Sequence, residues 1–62
     1  MTAAEATKLF AYEHLPPHLR EVSEPFFIMA GNLFDVIPDE MGAYRTKALN
    51  ELWQAKNWAV AA

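Results

Sequence analysis

The chain contains no cysteine, which excludes a disulfide framework and any thiolate metal site. It has no apolar run near the roughly 18 residues that a membrane-crossing helix needs. Its N-terminus lacks the basic segment and following apolar stretch of an export signal. A cytoplasmic location is therefore expected. Basic residues are scarce, five Lys and Arg against eight Asp and Glu, and they form no stripe. Duplex nucleic acid held through many phosphates is thereby excluded as a partner, although an arginine with free helix N–H groups can still hold a single phosphate. Only one serine is present, Ser23, and no two carboxylates are spaced as an acid–base pair. Non-catalytic work is the expectation, with no cofactor and no metal centre.

Apolar side chains are abundant: 53% of the 62 residues are hydrophobic, including four Phe, two Trp and two Tyr. A chain this short buries only about 60% of the surface that its unfolded form exposes. Two helices cannot hide that much apolar surface from water. Assembly into a homo-oligomer is the expected solution.

The pattern along the chain predicts an all-α single domain over 1–62, a helical hairpin preceded by a short N-terminal arm. Residues 1–9 are expected to be a flexible N-terminus or a short helical turn. Pro16 and Pro17 suit the start of a helix, where a missing N–H costs nothing. Beyond them Leu19, Val22, Phe26, Met29, Leu33 and Val36 keep a 3-4-3-4-3 spacing, with Phe27, Ala30, Phe34 and Ile37 widening the face. Pro25 interrupts this stripe without shifting its phase, which predicts a kinked but continuous helix, with Ser23 as the alternative cap of a second one. Ile37-Pro38-Asp39-Glu40-Met41-Gly42 predicts the break, short enough to make its flanking helices antiparallel neighbours. The second helix runs from about Ala43. It carries a small-residue stripe (Ala48, Leu52, Ala55, Ala59, Ala62), a second apolar line (Leu49, Trp53, Val60), and Lys47 and Lys56 as surface positions.

The richest chemistry lies in the arm. Phe10, Tyr12 and His14 alternate, so in extended backbone their rings share one side and suit stacking on a flat ligand; packing is the competing use. His14 and His18 have i, i+4 spacing, but the prolines between them spoil a helical metal face and no third ligand is near. Arg45, in the first turn of the second helix, opposes the helix dipole, which marks it as a candidate anion ligand; a salt-bridged surface arginine is the alternative.

Phe10-x-Tyr12-Glu13-His14, Ile37-Pro38, and Tyr44-Arg45-x-x-Ala48-Leu49-x-x-Leu52-x-x-Ala55-Lys56-x-Trp58-Ala59-x-Ala61 together resemble the phage anti-CBASS and anti-Thoeris signal-sponge proteins. The likeness covers Phe10 to the C-terminus. It implies a homo-oligomer, dimer or hexamer, in the host bacterial cytosol. Such a protein sequesters a cyclic oligonucleotide or cyclic ADP-ribose-type immune signal without cleaving it. It further implies that Tyr12 stacks on a base and Arg45 contacts phosphate, with Phe10 and His14 assisting as ligand-binding residues. Two positions depart from the family: Ser23-Glu24-Pro25-Phe26-Phe27 holds no cation where members often carry one, and Val60-Ala61-Ala62 holds no arginine. The rival expectation is a small dimerising hairpin that binds a protein partner through Phe27, Trp53 and Trp58.

Overall fold

The computed structural model describes residues 1–61. Among them the chain is all-helical, with three α-helices, one 3-10 turn and no strand.

Residues 1–9, expected as a flexible start or a short helical turn, include helix α1 (Ala3–Leu9). Its N-terminus is closed by a capping box: the Glu5 N–H donates to Thr2 Oγ1 at 3.1 Å, and the Thr2 N–H donates to Glu5 Oε1 at 3.2 Å. Seven residues do not hold a helix in water unaided. What retains α1 is packing, because Ala6 and Phe10 are buried. Phe10 closes the helix, its N–H donating to the Ala6 carbonyl.

Helix α2 (Pro17–Val36) starts where the proline pair predicts, with the Pro16 carbonyl accepting from the Arg20 N–H at 3.0 Å. It is continuous through Pro25, so Ser23 lies inside the helix and caps nothing. The face turned inward is shifted from the expected stripe. Ser23 and Ala30 are buried, with Leu19, Phe26, Leu33 and Phe34 half-buried, whereas Val22 and Met29 are 38% and 49% exposed. Close approach of two helices favours small side chains over large ones where the backbones come nearest.

The Ile37 N–H closes α2 on Leu33, and a 3-10 turn (Asp39–Met41) leads into α3 (Gly42–Ala61). Gly42 is ordinary right-handed helix, not the flexible loop position expected of it. On α3 the buried line is Leu49 and Lys56, flanked by half-buried Leu52 and Trp53. Ala55, from the expected small-residue stripe, is exposed.

The molecule measures 37 × 17 × 16 Å. A 20-residue helix is about 30 Å long, so α2 and α3 both run along the long dimension, and most tertiary contact lies between them. Ala6, Phe10, Ala30 and Leu49 form the core where the three helices meet. No helix among the described residues is long and apolar enough to cross a membrane.

Candidate ligand-binding site

The segment between α1 and α2 is not extended. The Ala11 N–H donates back to Lys8, and the Leu15 N–H donates to the Tyr12 carbonyl at 3.0 Å, closing a turn. The alternation that placed Phe10, Tyr12 and His14 on one side therefore does not apply. Phe10 points into the core and is 1% exposed, which makes it a packing anchor of the arm. Tyr12 is half-buried and His14 exposed.

Tyr12 is positioned from α2. Its ring meets the edge of Phe27 at a centroid distance of 5.3 Å and an interplanar angle of 63°, the T-shaped geometry that aromatic pairs favour. Two open hollows flank it. The first is lined by Thr7, Ala11, Glu13, His14 and Phe27 as well as Tyr12. The second is lined by Glu13, Pro17, Arg20, Glu21 and Glu24 beside the same ring. Partial burial and the neighbouring Glu24 carboxylate, with Glu13 beyond it, hold the Tyr12 phenol above its usual range. The ring is thus a neutral, hydrogen-bond-capable plate at physiological pH.

Arg20 is the cation that sequence reasoning passed over. It follows Tyr12 in the first turns of α2, one helical turn from Glu24 on the same helix, which is the signal that would have found it. The second hollow nevertheless sets three carboxylates against that one guanidinium. On charge alone this wall repels a phosphate.

Arg45 lies elsewhere. Its Nη1 donates to the Ile37 carbonyl at 3.1 Å and to Asp39 Oδ1 at 3.0 Å, while the guanidinium carbon lies 4.6 Å from the Phe34 ring centre. Its Nε is buried without a hydrogen-bond partner. The side chain that opposes its own helix dipole thus serves the negative C-terminal end of the preceding helix. Arg45 clamps the α2–α3 turn, and in this chain it is not beside Tyr12.

His14 and His18 do not share a helical turn, since α2 begins only at Pro17. No three His, Cys, Asp or Glu side chains are grouped as a metal would require, among the described residues. Lys56, expected at the surface, is buried: it is 8% exposed, and its Nζ donates to the Leu9 carbonyl at 2.9 Å. Burial pushes its pKa below the ordinary 10.5.

Comparison with known proteins finds no matching family model, no matching curated protein and no matching solved structure.

Proposed function

We propose that the protein is a non-catalytic sponge. In this reading antiparallel helical hairpins, kinked at Pro25, assemble as a homo-oligomer and sequester a cyclic oligonucleotide or cyclic ADP-ribose-type messenger in pockets between protomers. The observation that carries the reading is Tyr12: a neutral aromatic plate, braced by Phe27 and bordered by His14, at the edge of open hollows. Tyr12 stacks on a base, and His14 hydrogen-bonds to base or ribose. Phe10 acts from beneath by seating the arm. Because Arg45 is engaged at the turn of its own protomer and carboxylates surround Arg20, phosphate contact comes from a neighbouring protomer. Assembly is supported by the apolar surface left over on α2: Val22, Met29 and Val36 recur every seven residues and are 38%, 49% and 70% exposed.

That surface also favours a second reading, a dimerising hairpin that binds a protein partner. Trp58, 76% exposed, is its strongest anchor; Trp53, half-buried against the core, is less available.

Isothermal titration with a panel of cyclic di- and trinucleotides and cyclic ADP-ribose isomers decides between them. The sponge reading expects saturable heat with at least one ligand, recovered intact afterwards. Tyr12→Ala weakens that binding by about 5- to 150-fold, the equivalent of one lost base stack at roughly 1–3 kcal/mol, with oligomer mass unchanged. A soluble oligomer that takes up no member of the panel sinks the reading. Hydrolysis of the ligand overturns the non-catalytic part alone.

A further inference from the structure

Lys56 is a buried cation whose chemistry the proposed site does not use. Its Nζ is brought to the Leu9 carbonyl, 47 positions earlier in the chain, and among the described residues it makes no ion pair with a carboxylate. An ammonium taken out of water for a single neutral partner is costly. Leu9 is the last residue of α1, where helix carbonyls lack intrahelical donors. The apolar fit of α1 against α2 is incomplete. A side-open cleft of about 150 Å³ remains between them, with Ala3 and Thr7 on one wall and Phe27, Gly31 and Phe34 on the other. A Cβ added at Gly31 would meet nothing within 4 Å. The N-terminal side of α1 is tied to α3 by the Met1 ammonium, which donates to Thr46 Oγ1 at 3.0 Å; a seven-residue helix with so loose a seat needs a second directional tie to fix its other end.

We propose that Lys56 is the positioning residue of the Tyr12 site: by holding the Leu9 carbonyl, its buried ammonium fixes the end of α1, seats Phe10, and so sets where the Tyr12 ring stands. The chain of consequence is short. Leu9 precedes Phe10, whose ring fills the core at 1% exposure. Two residues further on is Tyr12, against Phe27. The tie comes from α3 and the ring rests on α2, so all three helices meet in the placement of one side chain. The claim concerns the position of the ring and stands whether or not a nucleotide is what the ring receives.

The absence of cysteine provides a clean test. Lys56→Cys protein, unfolded, alkylated and refolded, gives two matched forms. Alkylation with 2-bromoethylamine restores an ammonium at lysine's reach, and alkylation with 1-bromopropane places a methyl group there instead. Hydrogen exchange then reads each helix separately. In the propyl form, amides of α1 and the Phe10–Tyr12 segment should exchange at least tenfold faster, while those near Ala30 and Leu49 keep their protection. The Tyr12 ring resonances should shift with them, and the aminoethyl form should restore both. Unchanged or increased α1 protection in the propyl form overturns the proposal, because the charge was then merely tolerated. Equal loss in all three helices, or failure of the propyl form to fold, overturns it too, because Lys56 then supports the fold at large. Lys56→Met, near in shape and without a donor, provides an unalkylated check on the same pattern. Nucleotide binding enters none of these readouts, so this test and that of the sponge fail independently.

Discussion

Toward each end of α3 a cation, Arg45 half-buried and Lys56 buried, is aimed at a carbonyl that ends an earlier helix, and the two solve the same problem unequally. Arg45 closes α2: it donates to Ile37 and Asp39 and lies over the Phe34 ring. Lys56 closes α1 with one neutral acceptor and nothing else. A guanidinium is flat, weakly hydrated and forked, so it can spread its charge over a carbonyl, a carboxylate and a π face at once. An ammonium is a strongly hydrated point, and it bears the full cost of leaving water. The turn end of the molecule is therefore over-determined, whereas the C-terminal end of α1 rests on one side-chain bond, its N-terminal end being held separately by the Met1 ammonium, which donates to Thr46 Oγ1 at 3.0 Å. The site built around Tyr12 lies at the weaker end. That is where a segment able to adjust to a ligand is expected, since binding elements are drawn from the less stable parts of a structure.

The comparison breaks most visibly at Arg45. Arg45→Ala removes two hydrogen bonds, the packing of the arginine stem and the contact with Phe34. It should cost about 2–4 kcal/mol, read as a lower midpoint in urea unfolding. Arg45→Lys should recover less than half of that, because the fork is lost. A smaller effect separates the cations by pH. With its pKa depressed, Lys56 carries the penalty of a buried charge in full at neutral pH. As the pH rises through its folded value toward the ordinary 10.5, the unfolded chain holds more protons than the folded one, so this group's contribution to stability rises. Tyr12, raised above its usual 10.0, works in the opposite sense above that pH. Unfolding midpoints at pH 7 and 9.5 should therefore move in favour of wild type over Lys56→Met. A constant difference between the two would refute the assignment. The smallest effect belongs to Asp39→Asn. The carboxylate side chain is 96% exposed, and such pairs contribute no more than about 1 kcal/mol. A larger loss would show that Arg45 depends on Asp39 more than on Ile37 and Phe34.

Much of the fold was legible because it rests on local rules. Pro17 at a first helical position and Pro38 after Ile37 mark both limits of α2, and apolar periodicity marks the two long helices. The capping box Thr2-x-x-Glu5 was equally open to view, and the weight given to terminal fraying hid it. What sequence could not supply was rotational phase. Hydropathy ranks Val22 and Met29 above Ser23 and Ala30, yet it is the smaller pair that is buried. Lys56 was assigned to the surface by its charge. Its spacing of seven residues from Leu49 is the contrary signal, and the half-buried carbonyl that receives it, 47 residues away, leaves no trace in composition. The candidate site was legible as a list, but its geometry was not. Phe10, Tyr12 and His14 alternate in sequence, but the turn after Ala11 separates them, and the partners of Arg45 depend on how the 3-10 turn folds back.

The line of Val22, Met29 and Val36 has a geometric consequence of its own. Residues seven apart on a straight α-helix drift by about 20° per repeat, so this line winds slowly around α2 as a shallow left-handed spiral. A rigid, flat partner can touch it only locally. A helix that coils around α2 with the same left-handed pitch can follow the line from end to end, keeping the three side chains in a single seam. A helix packed along this line would coil around α2 with the left-handed sense that the spacing of three exposed residues sets.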